Sequence, residues 1–346
     1  ISTWNTTITG GNNYPSNTPP SPTDTVVLPL LSFGVYDFGV DWGDGSQDQI
    51  TSYNQSEVTH QYSSTGIYTI SITGGITGWR FAGGGDDDKI TNISQWGPLT
   101  INNDRAFYGC TGLEISTTDS LKFIDSPVPT GSWPFDTTLS SFFDVGSWRV
   151  VYYSGESSMT GCDASVWDIS DMTYMAGFFS WCDMNSDLGS WDVSNVTDMS
   201  YMFSNASFDN GGSPSISGWD TSSVTRMDSM FSYHYSFAST GFNQPIGSWD
   251  VSNVSNFYAM FNYNAWFDQD LGSWDVTSAT YMNDFMRAVT LSTANYNSLL
   301  QGWAPQSVNN GINIHFGNST YSAGSAASAR STLVSKGWTI TDGGQA

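Results

Sequence analysis

Basic residues are scarce. The chain of 346 residues has 9 Lys and Arg against 32 Asp and Glu, a formal net charge of −23. Nucleic-acid binding needs a Lys/Arg footprint that displaces counterions from phosphate, and this chain has too few to build one. Docking on anionic lipid fails for the same reason. Long apolar runs are also missing: no stretch approaches the roughly 18 consecutive apolar residues of a membrane-spanning helix. The three cysteines, Cys110, Cys162 and Cys182, are odd in number, which argues against a simple disulfide framework. The three histidines, His60, His234 and His315, lie in different segments, and no HExxH, GxSxG or phosphate-loop motif accompanies them. The chain opens at Ile1 without Met and shows no leader, which leaves a removed leader or an uncovered start open.

What is present is aromatic and polar. The 15 Trp, 17 Tyr and 20 Phe exclude a disordered chain. Charged residues are only 12%, so the surface must be largely Ser, Thr, Asn and Gly. Residues 11–24 are loop-like, and Val26–Leu30, Gly34–Val40 and Gly66–Ile72 read as short strands. Between them Asp41-Trp42-Gly43-Asp44-Gly45-Ser46 is a turn signal in which the aspartates bond their own backbone. This segment, with His60-Gln61-Tyr62 and Gly66-Ile67-Tyr68-Thr69-Ile70, resembles the signature of PKD-type domains, over roughly residues 24–74. The resemblance implies an immunoglobulin-like spacer or binding module on an extracellular protein.

From residue 164 an internal repeat dominates. Five units align on Trp167-Asp168, Trp191-Asp192, Trp219-Asp220, Trp249-Asp250 and Trp274-Asp275, at spacings of 24, 28, 30 and 25 residues. Apolar residues recur three before each Trp, as Ala164, Leu188, Ile216, Ile246 and Leu271. After it the pattern predicts a short strand, with the Trp inward and the next Asp outward. Further on, Met199, Met202 and Phe203 recur as Met227, Met230, Phe231 and as Phe257, Met260, Phe261. Steps of three and one predict a short helix, with Thr197, Thr225, Ser255 and Thr280 as N-caps. No unit can bury its Trp and Phe alone, so neighbours must stack. Residues 189–203, Gly-Ser-Trp-Asp-Val-Ser-Asn-Val-Thr-Asp-Met-Ser-Tyr-Met-Phe, resemble the repeat of BspA-like bacterial surface proteins, a leucine-rich-repeat relative found on bacterial surfaces and in some phage proteins.

The expected fold is therefore mainly β with short helices. A PKD-like β-sandwich spans 1–78, a degenerate solenoid start 79–163, five BspA-like Trp-Asp repeats 164–290 and an α/β cap 291–346. In the cap, Thr293–Trp303 and Ser322–Ser335 read as helices, and Ile312–Phe316 and Trp338–Ile340 as strands. The predicted core column is Trp167, Trp191, Trp219, Trp249 and Trp274.

No catalytic residue emerges. The cysteines share a context after aromatic or Met residues, and Ala206 takes the same place in one unit, which reads as buried thiols. Asp168, Asp192, Asp220, Asp250 and Asp275 form a predicted exposed ladder, compensated by backbone donors or by calcium. Asp86, Asp87 and Asp88 are the alternative place for calcium; no other cofactor is implied. A glycosidase needs two carboxylates in unlike environments, and a repeated identical row is the wrong arrangement. The expectation is a non-enzymatic adhesion or binding module on a cell or virion surface, recognising a protein or a glycan without nucleic acid or membrane insertion. A structural decoration or fibre subunit is the rival, and a carbohydrate-active enzyme stands behind both.

Overall fold

The structure is a computed structural model that describes residues 1–9, 19–81, 84–102, 106–107, 110, 112–124, 163–180, 185–233 and 241–346. Most of the irregular stretch 116–163, the loop at 11–18, and Cys162, Cys182 and His234 lie outside the described residues. The chain is mainly β, with two α-helices among the described residues. It divides into two compact parts, Ile1–Asp171 and Met172–Ala346.

In the first part, β1 (Ser2–Asn5), β2 (Thr25–Val27), β3 (Tyr36–Asp41), β4 (Gln47–Ile50), β5 (Thr59–Gln61) and the long β6 (Ile67–Thr77) precede five shorter strands. These are β7 (Ile90–Ile93), β8 (Leu99–Ile101), β9 (Glu114–Ile115), β10 (Lys122–Ile124) and β11 (Asp168–Asp171). β6 organises the sheet. It pairs antiparallel with β1 through Ile67–Ile70 and with β3 through Ser71–Ile76. Its last two residues, Ile76 and Thr77, then pair parallel with Leu99 and Thr100 of β8. β8 passes the parallel register to β10, and β10 to β11. On the other side β1 pairs with β7, and β7 runs parallel to β9. Antiparallel and parallel pairing thus meet within one strand, and β6 runs up to the boundary expected after residue 78. β2 and β5 form a separate antiparallel pair.

The Asp-Trp-Gly-Asp-Gly-Ser turn closes the β3–β4 hairpin. Asp41 Oδ1 accepts the Gly43 amide at 2.9 Å, and Asp44 Oδ1 accepts the Ser46 amide and hydroxyl at 2.9 and 2.6 Å. Gly43 has φ +83, and a Cβ there would lie 2.4 Å from the Thr69 carbonyl oxygen, so no other residue fits. Asp44 Oδ2 also meets His60 Nε2 at 2.9 Å, and the His60 ring stacks on the buried Trp42 at 4.7 Å. Tyr62 donates its hydroxyl to the Trp42 carbonyl at 3.0 Å and stacks on Tyr68 at 3.7 Å. The two halves of the motif are clasped together.

The second part is a stack of repeats, and its rungs differ from the expected ones. The segment after each Trp is a turn, and only β11, in the first part, is a strand. Pairing falls instead seven residues after each Trp, in single parallel bridges that link Tyr174, Asp198, Arg226, Asn256 and Tyr281 in turn. The expected helices are absent too. Two four-residue turns take their place, closed by Met202 N to Met199 O at 3.3 Å and Ala206 N to Phe203 O at 3.1 Å. A left-handed residue stands third in these turns: Gly177, Tyr201, Ser229, Ala259 and Asp284 in the first, and Asn205, Tyr263 and Ala288 in the second. Such a residue outside Gly costs about 1–2 kcal/mol. The return is a backbone N–H turned toward the next repeat. Met199, Tyr201, Phe203 and Asn205 donate to the carbonyls of Arg226, Asp228, Met230 and Ser232 at 2.8–3.0 Å. The next two repeats continue the same ladder. A helix would have consumed these donors internally.

Side chains repeat the axial theme. Thr197, Thr225 and Thr280 cap no helix; their hydroxyls donate at 3.0–3.1 Å to the carbonyl of the equivalent residue one repeat back. The indole N–H of Trp219, Trp249 and Trp274 donates at 2.9–3.0 Å to the carbonyls of Leu188, Ile216 and Ile246 in the preceding repeat. All five repeat tryptophans, Trp167 included, are 5% exposed or less. Phe203, Phe231 and Phe261 stack along the axis at 5.7–5.8 Å, interleaved with Phe208, Phe242 and Phe267.

The C-terminal segment continues the stack. α1 (Thr293–Trp303) occupies the residues its periodicity predicts and buries Tyr296, Leu299, Leu300 and Trp303. The Trp303 indole donates to the Leu271 carbonyl at 2.9 Å, a further rung of the Trp ladder. β12 (Asn313–His315) pairs parallel with β13 (Thr339–Thr341), and α2 (Ser325–Ser335) lies between them in sequence. Arg330 and the Tyr296 hydroxyl both bind the buried Asp342 carboxylate at 2.7 Å.

Two outcomes are expected. Trp219→Ala should destabilise the protein by roughly 3–5 kcal/mol, the range for a buried Trp truncation, in urea unfolding followed by circular dichroism. Second, Ser46 and His60 hold the Asp44 carboxyl at about 2, below its ordinary value. Its contribution is complete above the unfolded value near 4 and is lost as pH falls toward 2. Asp44→Asn should therefore reduce the acid slope of stability between those two pH values, read from urea midpoints.

Candidate functional site

The bridge residues and the residues two further on line one face of the second part. At its centre Arg226 grips Asp228 with two bonds, Nε to Oδ1 at 3.0 Å and Nη2 to Oδ2 at 3.1 Å. Its Nη1 lies 3.3 Å from Asp198 Oδ2 in the preceding repeat. The two carboxylates are buried, while the Arg226 side chain is 46% exposed. Burial pushes the Asp228 carboxyl above its ordinary value, opposed by Arg226. Asn256, one repeat on, donates to Asp228 Oδ1 at 3.0 Å and accepts the Tyr258 amide at 3.0 Å. Tyr258 then stacks on Tyr281 at 5.3 Å with 12° between the rings, and Tyr281 is 47% exposed. An arginine held between two acids thus adjoins a half-open aromatic pair, fixed by the bridges that run from Tyr174 to Tyr281.

The predicted aspartate ladder lies elsewhere. Asp168, Asp192, Asp220, Asp250 and Asp275 each accept the amide of the residue two further on, at 2.9–3.2 Å. At Asp168, Asp192, Asp220 and Asp275 the hydroxyl of that Ser or Thr adds a bond of 2.6–2.7 Å. The hydroxyl and amide of that following Ser hold the Asp168, Asp220 and Asp250 carboxyls below the usual range. Each carboxylate has a donor set within its own turn.

Asp86 meets an internal cation. Its Oδ1 lies 3.2 Å from the fully buried Lys89 ammonium, and its oxygens also accept the Ser21 and Val27 amides at 3.0 and 2.8 Å. Lys89 bonds the carbonyls of Ser21, Pro22 and Thr25 at 2.8–3.2 Å, tying the start of β2 to this turn. Asp87 is buried, and its Oδ1 accepts the Asp88 amide at 2.9 Å. Among the described residues, no three His, Cys, Asp or Glu side chains gather as metal ligands. Cys110 is buried, and burial pushes its thiol well up. His315 Nδ1 accepts the Gly317 amide at 2.9 Å.

The sequence reading missed the bridge-row face and a second side-chain ladder. Asn185, Asp209, Asn243 and Asp268 each accept, through Oδ1, a backbone amide from the following repeat: those of Asp209, Asn243, Asp268 and Ser292 at 2.7–3.0 Å. Gln244, Gln269 and Asn295 reinforce it, their side-chain amides donating to the backbone carbonyl and the Oδ1 of the residue below. Its signal was readable as Phe208-Asp209-Asn210, Phe242-Asn243-Gln244 and Phe267-Asp268-Gln269.

A family model described as "Mycoplasma protein of unknown function, DUF285" matches residues 151–239 and 211–324, and the overlapping matches together cover half of the chain. The chain belongs to this family. The match falls on the Trp-Asp repeats and fits their BspA-like resemblance at the level of the repeat. Comparison with curated proteins and with solved structures finds no match.

Arg226→Met should leave Asp198 and Asp228 without their cation and cost about 1–3 kcal/mol, less than a fully buried pair because the arginine is half exposed. The raised Asp228 carboxyl contributes stability that is present below its ordinary value and lost as pH rises through the folded one. The deficit of the variant should therefore shrink between pH 7 and pH 4, and adding Asp228→Asn should restore part of it. Urea unfolding at both pH values measures this.

Proposed function

We propose that this chain is a non-enzymatic recognition module displayed outside the cell or on a virion. In this reading a PKD-like sandwich presents a leucine-rich-repeat-like solenoid, whose bridge-row face holds a protein or glycan. The Asp44–His60 clasp supports the first assignment, because it joins both halves of the PKD-like signature. The parallel ladder supports the second, because stacked repeats that contact only their neighbours are built in this way.

The observation that carries the binding role is the half-open Tyr258–Tyr281 pair beside the Arg226 cluster, on a face whose backbone is rigidly paired. Rigid scaffolds that offer exposed aromatic and arginine side chains make efficient recognition surfaces, because little side-chain freedom is left to lose. No described helix is long and apolar enough to cross a membrane.

The test is binding of the labelled full chain to a panel of intact bacterial and animal cells by flow cytometry. Asn283→Arg, which adds bulk on the face, should abolish binding, and Ser223→Arg on an exposed turn should leave it unchanged. Binding to no cell type, or equal loss in both variants, would overturn the reading. Concentration-dependent self-assembly without cell binding would favour the rival, a structural subunit.

A further inference from the structure

The geometry points to a neutral glycan as the ligand of the bridge-row face, with the half-exposed Tyr281 ring as its stacking surface and the half-exposed Arg226 guanidinium, with Asn256 beside it, as its hydroxyl-bonding edge. This rests on the face being a binding surface and names what it takes.

Three observations converge. First, the exposed large apolar side chains described in the second part are Tyr263, Trp266, Tyr281 and Val334. No Leu, Ile, Met or Phe is among them, whereas apolar protein partners are gripped by surfaces with a solvent-excluded apolar centre. Tyr and Trp instead offer a flat ring with a polar tip, which suits the C–H face of a pyranose and its hydroxyls.

Second, the charge is wrong for an acidic ligand. Arg226 is engaged by Asp198 and Asp228, so the cluster holds one cation against two carboxylates. The whole chain carries −23, so its field repels phosphate, sulfate and uronate polymers.

Third, the donors and acceptors are planar and fixed. The half-exposed Arg226 guanidinium and the Asn256 amide are both fixed by the buried Asp228 carboxylate, on adjacent repeats. Adjacent sugar hydroxyls, each donor and acceptor at once, match such fixed fork-shaped groups.

The experiment is affinity electrophoresis of the full chain in gels containing dextran, mannan, galactan or hydroxyethylcellulose, with heparin and polygalacturonate gels in parallel. At least one neutral polymer should retard the wild type, and the acidic polymers should not. Tyr281→Ala should weaken that retardation at least tenfold, and Tyr281→Phe should keep most of it. Tyr281 is half exposed, so its variants fold; unfolding midpoints check this. Retardation by no neutral polymer, retardation by heparin alone, or a Tyr281→Ala variant equal to wild type would overturn the proposal. Cell binding provides the separation from the broader reading. If protease treatment of cells removes face-dependent binding and periodate leaves it intact, the surface stands and the glycan falls.

Discussion

The hydrogen bond directed along the stack, from one repeat to the next, is the interaction on which the second part depends. Alternate backbone amides bond within their own turn and across to the next repeat, so neither set can form without fixing the other. Each such bond is worth only about 1 kcal/mol net, no more than the strain of one left-handed residue. The balance favours order because four backbone bonds per repeat are joined by a threonine hydroxyl, an indole N–H and an Asp or Asn side chain. Beneath them lie the paired Phe columns and the Met side chains, which supply the larger apolar term. Position and energy are thus divided: polar ladders set the register, and aromatic columns supply the stabilisation.

The first part solves a related problem, how a parallel ladder begins. A parallel pair cannot be closed by a tight turn. β6 supplies the start by running on past β1 and offering Ile76 and Thr77 to β8 while β3 still pairs with it at Ile76. An unpaired strand edge is a liability in most proteins. Here it is a template, and β10 and β11 add to it in order. The buried Lys89–Asp86 pair serves the same part by fastening the segment that leads into β2 to a turn between β6 and β7.

The repeat was legible in the sequence because Trp, the apolar residue three before it and the Met-Met-Phe set recur at fixed offsets. α1 was legible for the same reason, since Tyr296, Leu299, Leu300 and Trp303 follow helical spacing. The same spacing misled in the repeats. Two consecutive four-residue turns return Met199, Met202, Phe203 and Ala206 to one side at steps of three, one and three, which a helix does too. Periodicity cannot separate the two; the distinction lies in left-handed Tyr201 and Asn205, whose residue types do not announce it. The strand after Trp forms only as β11, beside β10; the Asp–Ser bond is present there too, so a paired neighbour and not the local sequence decides. The Arg226–Asp228 cluster was hidden because its partners, Asp198 and Asn256, lie one repeat away on either side. Only the rung register brings them together.

From Trp191, Trp249 and Trp274 to the end of the second turn the residue count is constant, whereas the stretch upstream of the next Trp varies. The extra residues before Trp219 are taken up in the short turns between Asn210 and Gly218. A recombination event that cuts near one tryptophan and rejoins near another therefore connects compatible rungs, whatever the loop lengths involved. Each repeat meets its neighbour through the same rungs, so the reach of the array is set by the number of repeats and not by the loops between them.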